Sequence, residues 1–423
     1  MAGVEPFNAL HYDLSKVGAL GDVAAPPYDV IDDAMRAELA SRSPHNVVEL
    51  DLPRDPGGGD PYGHAAKLLD EWKGDGALVD DDEPAIWALS QDYTAPDGRT
   101  MTRRGFLARV KLAEYGEGVR PHERTQPGPK EDRLRLTRAT EHNMSPIFSL
   151  HPGDAWQHIE PALGGEPWGE TTDPDGTVHR VWRVGDPAVH EAIAAELADG
   201  ELLIADGHHR YETAMTYARE VGGDGARGDE PHDYVLMALV SLEDPGLTVF
   251  ATHRMLKGLD KAQQEAIRDA AMASFELSAV GPDEIVPGPD EPPVSFGYMD
   301  SHHMEPRRLR LTDEGAAKLD GILAGRSEAY RRLDAAALEE LFLKEAVGLS
   351  ADDIAAKKGL GYTPSTEAAV ANLKAKEYDA AFFLRPTPVD QVRAVAAAGE
   401  TMPPKSTYFF PKLLTGIVMN PLR

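Results

Sequence analysis

The sequence contains no cysteine. That excludes a disulfide framework, a thiol nucleophile and any cysteine-ligated zinc or iron–sulfur centre. No apolar run approaches the roughly 18–20 residues that span a bilayer. The opening MAGVEPFNALHYDLSK has neither the charged n-region nor the apolar h-region of a secretory signal. The expected address is therefore the cytoplasm, without membrane contact. Internal repeats and long low-complexity tracts are missing as well. So are the glycines of a GxxxxGK[ST] P-loop and the spacing of an HExxH zinc helix.

Basic residues are scarce: 43 Lys and Arg stand against 71 Asp and Glu, for a net charge of −28. A surface of that sign repels nucleic acid and anionic membranes unless its cations are gathered locally. An acidic surface bias in a high-GC or salt-adapted organism explains the excess simply. It also supplies a background against which any cluster of Arg, Lys and His stands out.

The 423 residues, 42% of them hydrophobic, can hold two domains with cores of their own. The expected division is an N-terminal α/β region, 1–220, and a C-terminal one, 221–423, which could share one site. Segments 53–61, 221–233 and 281–293 read as loops, being rich in Gly, Pro and Asp without apolar periodicity. Asp186-Pro187 starts a helix whose face carries Val189, Ile193 and Leu197. Residues 202–205 then read as a buried strand, and Tyr211, Ala214, Met215 and Ala218 as the face of a second helix. Further strands are predicted at 234–240, 247–251, 294–299 and 380–384, and helices at 262–274, 335–345, 365–375 and 389–398. Strands and helices alternate without a sustained parallel βαβ rhythm, which predicts a mixed α/β (α+β) fold.

Four segments can carry chemistry. The first is DGHHR at 206–210, placed by the pattern at a strand-to-helix turn. A helix N-terminus offers unpaired N–H groups and partial positive charge, which suit a phosphate or carboxylate. Gly207 permits the tight turn and a close backbone approach. Arg210 can grip an anion in bidentate fashion, His208 and His209 can donate hydrogen bonds or move a proton, and Asp206 can orient an imidazole or act as a base. The blander alternative is a helix cap with one packed histidine.

The second segment is RPHERTQPGPKEDRLRLTR at 120–138, with Arg120, Arg124, Lys130, Arg133, Arg135 and Arg138 against three acids. A net positive stretch inside an acidic chain suits a bound polyphosphate. Its prolines and Gly128 predict a shaped loop rather than a helix. A solvated loop with internal salt bridges is the alternative. His122 and Glu123 are proton-transfer candidates. The third, TMPPKSTYFFPK at 401–412, offers Lys405, Ser406, Thr407 and Lys412 as anion ligands, or else a C-terminal strand packed through Tyr408 and two phenylalanines. The fourth, APPYDV at 25–30, fixes Tyr28 and Asp29 in direction through its prolines.

No transition metal is expected, since adjacent histidines diverge and bind one ion poorly. Mg²⁺ carried by a nucleotide needs only a carboxylate or two.

Taken together and in order, APPYDV, PHERT…GPKEDRL (121–134), IADGHHRYETA (204–214) and MPPKSTYFFPK (402–412) resemble a prokaryotic family known as domain of unknown function 1015. The DGHHR turn is also similar to the ParB/sulfiredoxin-like fold, whose members set a short polar, basic motif at such a turn and use it on nucleotide phosphates. Free serine kinases of that group carry a very similar segment. The resemblance implies a ParB/sulfiredoxin-like core with large additional α/β segments. It implies that Asp206, His208, His209 and Arg210 hold nucleotide phosphates beside the transferring group.

The expected function is a phosphotransferase using ADP or ATP with Mg²⁺ on a small hydroxyl metabolite such as free serine. Asp206, Glu123 and Asp29 are the candidate bases, with Gly207, Arg210, Arg124, Lys130, Arg133, Lys405, Ser406, Thr407 and Lys412 on the phosphates. The alternatives are a ParB-like nucleotide-binding regulator without kinase activity, which could be a homodimer, and a metal-dependent phosphatase. DNA binding is disfavoured by the acidic balance and the lack of a basic recognition helix.

Overall fold

The computed structural model describes residues 3–95, 98–123, 127–223, 225 and 228–423, the side chains of 127–129 aside. The chain forms two compact units. The first comprises Met1–Pro121, Thr125–Thr248 and Pro411–Arg423, and the second His122–Arg124 and Val249–Phe410. The architecture is mixed α/β, as the alternating pattern predicts.

In the first unit the described residues build a nine-stranded sheet. Its order runs Val119–Pro121, Leu202–Asp206, Ile147–His151, Tyr234–Ser241, Thr100–Lys111, Ile86–Thr94, Val178–Val184 and Gly169–Thr172, with Val4–Glu5 added beside Thr100–Lys111. Most pairings are antiparallel. Leu202–Asp206 runs parallel to Val119–Pro121, and Tyr234–Ser241 parallel to Ile147–His151.

The predicted strand at 202–205 is Leu202–Asp206, and its Leu202, Leu203 and Ile204 are buried. Burying each such side chain is worth roughly 1.5–3 kcal/mol, which fixes this strand in the sheet. The helix after it spans His208–Gly222 and buries Tyr211, Ala214, Met215 and Ala218, the four residues its periodicity singled out. The helix before it, Pro187–Leu197, starts on the Asp186 cap and buries Val189, Ile193 and Leu197.

One prediction fails in this unit. The Pro- and Gly-rich stretch after residue 126 is not a shaped loop: Pro127–Thr140 is a helix of 14 residues. Proline is harmful inside a helix but tolerated in the first turn, where its missing N–H has no intrahelical partner to lose. Pro127 and Pro129 lie in that turn, and RLRLTR supplies the helical body. This helix packs on His208–Gly222 through the cluster of Leu134, Tyr217 and Leu422. Ion pairs Lys130–Glu212 and Arg138–Glu220 flank the seam. A smaller sheet of Leu78–Asp80, Leu10–Tyr12, Val418–Pro421 and His142–Asn143 anchors the chain's last residues to the same unit.

The second unit is built on a six-stranded antiparallel sheet, in the order Phe275–Ala279, Arg307–Leu311, Ser295–Asp300, Ala380–Phe383, His253–Leu256 and Leu360–Thr363. Helices Lys261–Ser274, Thr366–Lys374 and Val389–Ala397 match predicted ones. The predicted helix at 335–345 is Asp334–Leu338 continued by a π-helical stretch, Glu339–Ala346. Among the described residues no helix is long and apolar enough to cross a membrane.

Candidate functional site

The strand–turn–helix unit positions the first group of side chains. The pairing with Ile147–His151 slips between Ile204 and Asp206, an irregularity that re-aims the strand end. Gly207 follows with φ 95° and ψ 24°, in the left-handed region where a side chain is strained. A Cβ there would also lie 2.9 Å from Arg210 Nε and 3.0 Å from Cζ. Glycine is thus needed twice, for the turn and for the guanidinium folded back over it. As N-cap, Gly207 carries no side chain that could accept from the helix start.

Arg210 is held in this folded-back pose. Its Nη1 donates to the Pro146 carbonyl and, at 3.3 Å, to Ser145 Oγ. Its Nη2 lies 3.7 Å from Asp206 Oδ2. Lys412 Nζ reaches the same carboxylate oxygen at 3.5 Å, from more than 200 residues along the chain. Two cations therefore flank Asp206 at a helix N-terminus. His208, buried, and His209, half-buried, occupy the first turn.

The APPYDV segment belongs to the same neighbourhood. Ala25 pairs with Thr415, N–H to carbonyl in both directions at 3.1 and 2.8 Å, next to the Lys412 segment. The Tyr28 ring lies 4.4 Å from the Arg133 guanidinium carbon, a cation–π contact. Burial pushes the Tyr28 hydroxyl up, opposed by the positive fields of Arg210 and Arg133. Asp29 is exposed beside it, in the short turn Tyr28–Val30.

Arg133 is buried. Its Nη1 donates to Asp51 Oδ1 at 3.0 Å and to the Asp51 carbonyl at 2.8 Å, and its Nε and Nη2 hold Asp132. Burial works against its charge, but the carboxylates of Asp51 and Asp132 outweigh it and hold the guanidinium above its usual range. Beneath Arg210 lies a cavity of about 40 Å³, lined in part by Asp51, Arg133, His142, Ser145, Arg210 and Thr213. Asp51 Oδ2, His142 Nε2, Arg210 Nε and Thr213 Oγ1 are buried there without a hydrogen-bond partner. His142 Nδ1 sits 2.6 Å from the Thr140 carbonyl, so it carries the proton and Nε2 is an acceptor. Two donors and two acceptors around such a volume suit bound solvent.

The other predicted site residues are placed differently. Lys130 pairs with Glu212. Arg120 pairs with Glu201, and Arg135 covers the Tyr62 ring, so the basic stretch at 120–138 is largely engaged in structural pairs. Arg124 lies outside the described residues. Glu123, Lys405, Ser406 and Thr407 belong to the second unit. There Glu123 bridges Met402, Ser406 Oγ donates to the Pro403 carbonyl at 2.6 Å, and Thr407 Oγ1 lies 2.8 Å from His122 Nε2. Lys405 is exposed with φ 59°. Tyr408–Phe410 is a strand, and Phe250 stacks on Tyr408 and Phe410.

Sequence reasoning missed Asp51, His142, Ser145 and Thr213. The signal at Asp51 was an acid set among Val47, Val48, Leu50 and Leu52, a placement that argues for a buried partner. Nothing local marked the others. Among the described residues no group of three His, Asp or Glu is arranged to hold a metal ion.

A family model described as "Protein of unknown function (DUF1015)" matches residues 4–336. The chain belongs to this family. No curated protein matches it at the level of sequence. Among solved structures it is similar to a conserved hypothetical protein from Pyrococcus furiosus, at 15% identity over 72% of this chain and 90% of that one, TM-score 0.36. It is also similar to a free serine kinase in complex with AMP, at 12% identity over 73% and 97%, TM-score 0.36. A third is SbnI with C-terminal truncation from Staphylococcus aureus, at 11% over 73% and 85%, TM-score 0.37.

Proposed function

We propose that this member of the family binds a nucleoside diphosphate or triphosphate, ADP or ATP, through its phosphates at the Asp206–Arg210 turn, and passes a phosphoryl group to a small hydroxyl metabolite such as free serine. The observation that carries the reading is the meeting of Arg210 and Lys412 on Asp206 at an N-terminus whose cap is a left-handed glycine. In a chain of net charge −28, two cations brought from distant segments to one helix start, with a single carboxylate between them, make a locally positive field that suits an anion. The similarity of the DGHHR turn to the ParB/sulfiredoxin-like motif supports the same ligand.

In this reading the helix N–H groups, Arg210 and Lys412 hold phosphate oxygens and neutralise charge as it spreads in transfer. His208 and His209 supply hydrogen bonds. Asp206 and exposed Asp29 are the carboxylates available to accept the acceptor's hydroxyl proton, or to hold Mg²⁺ through oxygen ligands, for which their chemistry is suited. Mg²⁺ would supply charge neutralisation between the phosphates. Glu123, Lys405, Ser406 and Thr407 are left out of the site.

The test is a melting-temperature screen of the full chain against ADP, ATP, CTP, phosphate and phosphoserine, with and without Mg²⁺, followed by turnover assays with a panel of amino acids and polyols. A ligand of the native state raises the melting temperature. Nucleotide binding with acceptor-dependent consumption supports the kinase. Nucleotide-dependent dimerisation without phosphorylated product supports a ParB-like regulator instead. No shift with any phosphate compound sinks the reading altogether.

A further inference from the structure

The Lys412 ammonium reaches Asp206 from a segment that enters the first unit only at Pro411. A long, flexible side chain presents its charge reliably only if the backbone beneath it is fixed. The backbone at Pro411 and Lys412 is fixed by side chains of the central sheet. Arg103 Nη2 donates to the Pro411 carbonyl at 2.5 Å, and Gln91 Nε2 donates to the Lys412 carbonyl at 3.0 Å. The two side chains are joined, because Arg103 Nε and Nη2 both donate to Gln91 Oε1.

This arrangement has one solution for its protons. Arg103 has only donors, so the Gln91 oxygen must face it and the Gln91 NH₂ must face the other way. The second N–H of that NH₂ points at His179 Nδ1, 3.2 Å away. His179 must then accept at Nδ1 and carry its proton on Nε2, which lies 2.9 Å from Asp173 Oδ2. Asp173 is itself fixed through Oδ1 by the N–H groups of Asp175 and Thr177. Arg103, Gln91 and His179 are all buried, at 1%, 1% and 0% exposure.

The chain of bonds therefore runs from Asp173 through His179, Gln91 and Arg103 to the two carbonyls beneath Lys412. It is an expensive way to close a sheet surface. Among the described residues no carboxylate bonds Arg103, its Nη1 is buried without a hydrogen-bond partner, and its charge rests on the Phe148 ring at 4.6 Å. Burial pushes the Arg103 guanidinium down to about 9. An apolar residue of similar size would fill the space without that penalty. What it would not do is hold the Pro411 carbonyl and the Gln91 amide in register.

We propose that Arg103 and Gln91 are positioning residues of the phosphate site, holding the Pro411–Lys412 backbone so that the Lys412 ammonium is presented at Asp206. The inference rests on the reading of Asp206, Arg210 and Lys412 as a phosphate site. Neither residue touches the ligand; both act through Lys412.

Gln91→Glu separates this role from simple packing. The new carboxylate gives Arg103 a charged partner and keeps the shape, but it loses both N–H donors and turns an oxygen towards the Lys412 carbonyl. The affinity of the full chain for ADP with Mg²⁺ is measured by calorimetry for the wild type, Gln91→Glu, Lys412→Met and the double variant. Gln91→Glu is expected to weaken binding about fivefold in the wild type and less than twofold in the Lys412→Met background, since contacting groups couple. An equal loss in both backgrounds, or no loss where Lys412→Met does lose affinity, overturns the proposal.

A ligand-free readout keeps it testable if the nucleotide reading is wrong. Should the wild type bind no ADP, or Lys412→Met bind it unchanged, that reading fails, and the backbone claim is judged by amide hydrogen exchange at Lys412 and Leu413. Faster exchange in Gln91→Glu, with the central strand Tyr234–Ser241 still protected, supports the tether. Unchanged exchange at both amides overturns it.

Discussion

Two regions of the molecule carry polar, basic motifs that look equally functional in the sequence, and their polar atoms take different kinds of partner. At the DGHHR turn the cations face one carboxylate at an end of a helix, with Arg210 and Lys412 on Asp206. At His122–Glu123 and PPKST in the second unit the polar atoms close on one another, Thr407 on His122 and Ser406 on the Pro403 carbonyl. Hydroxyls and imidazoles satisfied internally hold a loop in shape. Cations from two segments sharing one carboxylate at a helix start make a positive field that suits an anion. The residue types alone do not distinguish the two cases; their partners do.

The comparison is broken most severely at Gly207. Gly207→Ala must take φ 95° and set a methyl within 3.0 Å of the Arg210 guanidinium. Left-handed backbone alone costs roughly 1–2 kcal/mol. We expect a loss of about 2–3 kcal/mol of stability in denaturant melts, and loss of measurable ADP binding because Arg210 is displaced. An unchanged affinity would show that the turn is not the phosphate site.

Acid probes both units, since burial pushes His142 and His151 of the first unit down as well. Burial pushes the His253 imidazole in the second unit down to about 4, against an ordinary 6.5. The unfolded chain takes up this proton below pH 6.5 while the folded unit refuses it until about pH 4. Stability is therefore full above 6.5 and falls as the pH drops towards 4, by up to about 3 kcal/mol. His253→Gln should flatten that part of the profile. Protection of the Leu360–Thr363 and Ala380–Phe383 amides, which flank His253–Leu256, is the readout.

The sharpest version of the comparison sets Arg210→Ala against Thr407→Val. Losing a charge-assisted contact is worth roughly 1.5–3 kcal/mol, so Arg210→Ala should weaken ADP binding on the order of tenfold or more. Thr407→Val should leave affinity unchanged and lower stability by about 1 kcal/mol. Equal losses of affinity in both would erase the distinction. The smallest effect is expected at Arg138→Ala, whose partner Glu220 is half-exposed. An exposed pair of this kind contributes roughly 0–1 kcal/mol, and no change in binding should follow.

Much of this was legible in the sequence where the signal is local. The apolar run 202–205, the glycine after it and the spacing of Tyr211, Ala214, Met215 and Ala218 predict the strand, the turn and the helix, and the structure has all three. The start of Pro127–Thr140 was misread because prolines signal a break unless they sit in a first turn, and nothing local says which turn is first. Gln91 and Arg103 were not legible as site residues, and Asp51 was marked only by the apolar residues around it. Their bonds to Arg133, Lys412 and Pro411 span 82 to 321 residues, a separation that no local pattern reveals.

The central claim is that Lys412 and Arg210 form one anion site around Asp206. Calorimetric titration of ADP with Mg²⁺ into the wild-type chain and into Lys412→Met tests it most directly. The account predicts saturable binding by the wild type and affinity about tenfold weaker in the variant. No binding by the wild type, or the same affinity in both proteins, would contradict it.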